Sequence, residues 1–143
     1  MDDVRRILTD FMEVRAACQS LSNKSILVGI VGTNDSEVMK IAAIHEYGLG
    51  KMPERSFIRA SFDADEDKLT DIVEGQVTKV LANQTSADNA ANAIGAQAAQ
   101  LVQNFIDENR VKPRSDFSRK TQRTTLFETG THIRDRIAYK VEG

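Results

Sequence analysis

Two histidines and one cysteine are the side chains best suited to metal binding or nucleophilic chemistry near neutral pH in this sequence. His45 begins the run His-Glu-Tyr-Gly, which shares its first two residues with the HExxH motif of zinc proteases, but Leu49 stands where the second histidine belongs. His132 could meet His45 in the folded chain, yet no further ligands at metal-binding spacing surround either residue. The sequence therefore predicts no metal site and a structural or surface role for both histidines.

The glycines and the cysteine complete no cofactor or nucleophile motif either. Gly50-Lys51 is followed by Met52, where a phosphate-binding loop needs serine or threonine. Gly29 and Gly32 lack the third glycine of a dinucleotide fingerprint, so close backbone packing is the favoured explanation for them. Cys18 lies in an apolar helical stripe and is predicted to be a small core residue with an inert, buried thiol. We expect neither a cofactor nor enzymatic activity.

Length and composition favour one globular domain covering residues 1–143. Apolar residues make up 41% of the chain and charged residues 28%, as in ordinary soluble domains. The formal net charge of -2 provides no global attraction to nucleic acid or to an anionic membrane. The first twenty residues carry seven charges and resemble neither a signal peptide nor a membrane span, so we expect synthesis in a reducing cytoplasm and no membrane contact.

The elements that must position these residues follow from apolar periodicity and turn-forming residues. Apolar spacings of three and four predict helices, and a short β-branched run predicts a strand. The predicted helices are Asp3–Leu21, Glu37–Glu46, a long one beginning after Asp65 and Ala87–Glu108, and the predicted strands are Ile26–Val31 and Ala138–Val141. We expect an α+β fold in which a small antiparallel sheet is covered by a long helical hairpin, with the N-terminal amphipathic helix at its edge.

The segment between Tyr47 and Phe57 is predicted to be a loop held at both ends. Gly48 can adopt the positive φ that ends a helix, and Phe57 anchors the returning chain in the core. This leaves Arg55 and Arg59 on the outer side of the loop. Two interpretations stay open: the arginines dock a partner protein, or they cap the loop through local hydrogen bonds.

Charged residues form two separate clusters along the chain. The acidic cluster comprises Asp63, Asp65, Glu66, Asp67, Asp71 and Glu74, and the basic cluster comprises Arg110, Lys112, Arg114, Arg119, Lys120 and Arg123. Both could be solvated surfaces. They could instead join head to tail between subunits and close a ring, or the basic cluster could contact DNA phosphates.

Two motifs resemble those of phage tail-completion and virion-morphogenesis proteins. The first is Ile41–Gly48, ending in His-Glu-Tyr-Gly, followed by Met52–Ala60, which contains Pro-Glu-Arg-Ser-Phe-Ile-Arg. The second is the ending from Leu126 through Thr129-Gly130 to Ile137–Val141, in which Thr131–Ile133 and Asp135-Arg136 depart from the family pattern. The resemblance implies a non-catalytic ring or adaptor subunit at the head-tail joint or the tail terminus.

Together these observations predict a virion component assembled in the bacterial cytoplasm, which forms homo-oligomers and binds other tail or connector proteins. The alternative is a nucleic-acid-binding accessory protein that uses residues 110–123. The residues predicted to contact a partner are His45, Glu46, Tyr47, Arg55, Arg59, Arg114, Arg119, Lys120 and Arg123.

Overall fold

A computed structural model describes residues 2–31, 36–50, 54, 56–108 and 133–143. The elements in chain order are α1 (Asp2–Ser22), β1 (Ser25–Ile30), α2 (Ser36–Tyr47), α3 (Arg59–Ala64), α4 (Glu66–Leu81), α5 (Ala87–Asp107), one turn of 3-10 helix (Ile133–Arg136) and β2 (Ile137–Glu142). The predicted α+β class is confirmed, because helices predominate around a small antiparallel sheet. The short helix α3 is not among the helices that the sequence predicts.

The sheet pairs the strand that follows α1 with the last strand of the described chain. β1 and β2 pair antiparallel, from Ser25 opposite Glu142 to Ile30 opposite Ile137. Lys24 strengthens this junction, since its Nζ donates to the Gly143 carbonyl at 2.7 Å and forms an ion pair with Asp88 at the start of α5. An isolated two-stranded sheet is marginally stable in water, so this one depends on the helix that covers it.

That helix is α5, whose predicted apolar stripe is buried throughout. Its buried residues include Ala91, Ile94, Ala98, Leu101, Val102, Phe105 and Ile106. The central cluster adds Ala42 of α2, Phe57, and Ile133 and Ile137 near β2, with Val28 and Ile30 of β1 packed against it. α5 thus packs against both strands and carries most of the core.

The hairpin of α4 and α5 is formed by a short turn with well-defined ends. Asn83 ends α4 with φ 58°, a left-handed conformation that asparagine tolerates, and Gln84 N donates to Lys79 O at 2.8 Å. Ser86 begins α5, since its hydroxyl accepts from Asn89 N at 3.1 Å. α4 packs mainly against α5 and α1, so α5 provides the hairpin's contact with the sheet.

α1 differs from its prediction in where its apolar side chains lie. The helix contacts α4 and α5, yet none of its residues is buried. Ala17 and Leu21 are half-buried, whereas Leu8 and Phe11 are exposed. Cys18 is exposed as well, so its prediction as a core residue is wrong. The physical reason is that most of the apolar stripe of α1 lies off the face that the rest of the domain contacts.

Two glycines mark close contacts that a β-carbon would disturb. Gly29 has φ 152°, and a β-carbon there would lie 3.3 Å from Ile58 Cδ1, which confirms the predicted close packing. Gly95 is buried in α5 beneath the ring of Tyr139 from β2. A β-carbon at position 95 would lie 2.7 Å from Tyr139 Cγ, and the tyrosine hydroxyl donates to Asn92 Oδ1 at 3.2 Å.

The Gly95 contact yields a prediction with a matched control. Gly95→Ala gains helix propensity of about 1 kcal/mol, but displacing the Tyr139 ring costs about 1–3 kcal/mol, so we expect net destabilisation. Gly75→Ala in α4 meets no atom within 4 Å and should stabilise the fold by about 0.5–1 kcal/mol. Urea unfolding of both variants measures the difference, and equal effects of the two substitutions would contradict the packing argument.

Candidate functional site

The site lies where α2 ends and the chain later returns to begin α3. Gly48 ends α2 with φ 77°, and its N–H donates to Ile44 O at 2.8 Å. This confirms the predicted helix end, because a positive φ is readily adopted by glycine. The side chain of Glu46, in the last turn of α2, points inward and is only 4% exposed.

The Glu46 carboxylate accepts five hydrogen bonds from the returning chain. Oε1 accepts from Ser56 Oγ at 2.8 Å, Arg59 N at 3.0 Å and Arg59 Nε at 3.1 Å. Oε2 accepts from Phe57 N at 2.9 Å and Ile58 N at 3.0 Å. We call this group, Glu46 with residues 56–59, the Glu46 clamp. It joins two segments that are ten or more positions apart in the sequence.

The clamp also explains how α3 begins. Ile58 stands at the N-cap position and has no capping side chain of its own. Glu46 supplies the missing acceptor for three successive N–H groups, and Ser56 Oγ accepts from Ala60 N at 3.0 Å. A carboxylate at a helix N-terminus satisfies otherwise unpaired donors and interacts favourably with the helix dipole. α3 is therefore capped by a residue from another helix.

Burial and hydrogen bonding act in opposite directions on the Glu46 carboxyl. Burial raises its pKa, but the bonds from Ile58, Arg59, Phe57 and Ser56 together lower the pKa below its ordinary value. Glu46 is thus held as an anion inside the protein. With both oxygens engaged by donors, its geometry is that of a structural anchor.

Arg59 and Tyr47 form the outer side of the clamp. Arg59 Nη2 donates to Glu46 O at 2.9 Å and to Glu54 Oε2 at 3.2 Å, which confirms for this arginine the local capping that the sequence left open. Its guanidinium lies over the Tyr47 ring, 5.1 Å from the centroid. Hydrogen bonds to Glu46 and then Glu54 raise the Arg59 pKa. Tyr47 is 68% exposed and Arg59 remains half exposed, so both can still meet a partner.

The remaining predicted contact residues divide by burial. His45 is 4% exposed and faces the interior beside Glu46, so neither side chain presents a surface to a partner. Both are buried in this chain, which gives them a supporting role here, and their contact with a partner stays a prediction. Arg55, Arg114, Arg119, Lys120 and Arg123 lie outside the described residues.

A second polar junction escaped the sequence reasoning. Arg134 makes a two-bond contact with Asp107, with Nε to Oδ1 at 3.0 Å and Nη2 to Oδ2 at 2.9 Å. The bond to Asp107 also raises the Arg134 pKa. This pair joins the end of α5 to the turn before β2, across residues 109–132. No local signal could have revealed it, because the partners are 27 positions apart.

Ser56 and Glu54 were also missed as site residues, although a serine shortly before a helix is a familiar capping signal.

No protein-family model, no curated protein and no solved structure matches this chain. Across the residues that the structure describes, no three His, Cys, Asp or Glu side chains are grouped as metal ligands would be. No helix in that same part of the chain has the length and apolar character needed to cross a bilayer.

Because Glu46 accepts all five hydrogen bonds of the clamp, we expect its substitution to lower the unfolding free energy more than any other substitution at this site. Glu46→Gln keeps the size of the side chain but replaces one acceptor oxygen with a donor, which would face backbone N–H groups. We expect a loss of about 2–3 kcal/mol in unfolding free energy at neutral pH. Urea denaturation measures it. Glu54→Gln, at the exposed partner of Arg59, is the matched control and should change stability by less than about 0.5 kcal/mol.

The pH dependence provides an independent check on the same substitution. Because the folded pKa of Glu46 lies below the unfolded value of 4.5, its contribution is fully present above pH 4.5 and is lost as pH falls through the folded pKa. The stability gap between wild type and Glu46→Gln should therefore narrow under acid conditions. A gap that stays constant on acidification would contradict an ionised, hydrogen-bonded Glu46.

Proposed function

We propose that this protein is a structural subunit of a tailed phage or prophage particle, at the head-tail joint or the tail terminus. It acts in virion or tail assembly through contacts with copies of itself and with other tail or connector proteins. The observation that carries the proposal is the Glu46 clamp. The clamp joins the two halves of the first motif through hydrogen bonds to Glu46. The resemblance to tail-completion proteins rests in part on this motif.

The clamp supplies a physical reason for that motif. The clamp uses the glutamate that precedes Gly48 and the arginine that follows Phe57. Glu46 accepts a hydrogen bond from the backbone N–H of Phe57, and Arg59 donates to the backbone at the end of α2. The segment between the two halves is thereby held at both ends. A loop with fixed ends loses less conformational entropy on binding, which suits a docking element.

The surface beside the clamp has the residue types of protein interfaces. Tyr47 and Arg59 stack there, with Glu54 hydrogen-bonded to the arginine and Leu49 exposed nearby. Tyrosine and arginine are over-represented among the residues that contribute most to binding energy. In this proposal Tyr47 and Arg59 contact the partner, and Glu46 fixes the conformation of the backbone that carries them.

The acidic cluster supports assembly in a second way. Its members on α3 and α4 are exposed, namely Asp63, Glu66, Asp67, Asp71 and Glu74, whereas Asp65 is buried. An exposed acidic face on one subunit complements the basic run of residues 110–123 on the next. Such head-to-tail pairing between identical subunits closes a ring when the rotation allows it.

Deleting the gene from the phage or prophage that encodes the protein tests the proposal directly. Negative-stain electron microscopy of induced lysates should show heads and tails that are not joined, or tails of aberrant end structure, with infectivity restored by the wild-type gene. Joined, infectious particles from the deletion would overturn the assembly function.

Complementation with point variants then tests the proposed surface. Tyr47→Ala removes an exposed ring without opening the core, so we expect a folded protein that restores few infectious particles. Met39→Ala, an equally simple truncation of an exposed apolar residue earlier in α2, should restore the wild-type titre. Full complementation by Tyr47→Ala would contradict a role of this surface in binding a partner.

Nucleic-acid binding is the second candidate, favoured by the six basic residues between Arg110 and Arg123. It requires retention of the purified protein on DNA at physiological ionic strength, with affinity falling steeply as salt rises. The double substitution Arg119→Ala and Lys120→Ala should then abolish retention. Under the assembly proposal the protein elutes without DNA at that ionic strength.

A further inference from the structure

α1 carries an apolar seam that its own domain does not cover. Val4, Ile7, Phe11, Val14, Cys18 and Leu21 follow one another at alternating spacings of three and four. This is the a and d pattern of a seven-residue coiled-coil repeat, and it is continuous over the whole of α1. A helix that merely packs on a globular core usually has a wider and less regular apolar face.

Most of the seam is exposed, and it lies beside the face of α1 that contacts α4 and α5. Phe11 is 63% exposed, and Val4 and Ile7 are also among the exposed large apolar residues. The half-buried residues of α1 are Ala17 and Leu21, which lie toward the flank and the C-terminal end of the helix. Exposed, contiguous apolar surface of this kind is a feature of interaction sites.

We infer that the seam of α1 binds the same seam of a second copy of this chain, forming a parallel, in-register two-helix coiled coil. The inference holds whether or not the protein is a virion component, because it rests on α1 alone. The charges beside the seam favour this occupant. In the parallel register Asp10 at a g position faces Arg15 at an e position of the second copy, on both sides of the two-fold axis.

The antiparallel arrangement lacks this complementarity, because e positions then face e positions and Arg15 lies opposite Leu8. The amino-acid composition argues against another segment of the same chain as the cover of the α1 seam. Residues 109–132 contain four large apolar side chains, Val111, Phe117, Leu126 and Phe127, among many charged and polar ones. This segment has fewer large apolar side chains than the seam has apolar positions.

Sedimentation equilibrium of the full chain over a range of concentrations tests the association. Wild type should form dimers, and Phe11→Glu should weaken dimerisation at least about tenfold, as expected for a charge placed in the middle of an interface. Met12→Glu is the matched control, since Met12 is 67% exposed but lies off the seam, and its dimer should form as in wild type. Circular dichroism confirms that both variants stay folded.

A wild-type chain that is monomeric at its highest soluble concentration overturns the inference. Equal weakening by Phe11→Glu and Met12→Glu also overturns it, because that result would indicate general repulsion. Association into higher oligomers that Phe11→Glu leaves intact would likewise exclude the seam. None of these results depends on particle assembly, so failure here is distinct from failure of the proposed function.

Cys18 tests the parallel register, because in that alignment it lies opposite Cys18 of the second copy. Disulfides form between residues whose Cα atoms are about 4.4–6.8 Å apart, a separation that facing a positions provide. With copper phenanthroline as the oxidant, wild type should form covalent dimers much faster than the Cys18→Ser, Met12→Cys double variant. Equal rates, or faster linkage at position 12, would exclude the parallel in-register alignment.

Discussion

The buried carboxylate of Glu46 is the interaction on which the shape of the site depends. Two oxygens accept five hydrogen bonds from residues 56–59, so the end of α2 and the start of α3 cannot move independently. The same bonds lower the pKa of a group whose burial would otherwise favour the neutral acid. A segment with both ends fixed in this way holds Tyr47 and Arg59 close together.

α5 plays the corresponding part for the rest of the domain. Two strands alone could not hold together in water, and α5 covers them with an apolar face that includes small residues. Gly95 allows the Tyr139 ring to lie directly on the helix backbone. An ion pair stabilises each end of the packing between α5 and the sheet. Lys24 pairs with Asp88 at one end, and Arg134 pairs with Asp107 at the other. The fold thus combines one apolar helix–sheet interface with a few long-range ion pairs.

Burial was predicted well for α5 and poorly for α1, and the difference has a physical cause. Both helices have clear apolar periodicity, which determines the conformation of the segment but not the identity of what covers its apolar face. In α5 the cover is the sheet and α4 of the same chain. In α1 the stripe that includes Phe11 and Cys18 has no cover among the described residues, which is why Cys18 was assigned to the core and lies at the surface.

The sequence by itself determined the elements other than the short helices, their order and the α+β class, because helix and strand periods, capping residues and turn glycines act over a few positions. It also determined that Tyr47-Gly48 ends a helix and that Phe57 is buried. Only the tertiary structure decided which polar groups meet: Glu46 with the start of α3, Arg134 with Asp107, and Tyr139 with Gly95. Such pairings depend on how distant segments pack, and short-range patterns contain no information about the partner across a long separation.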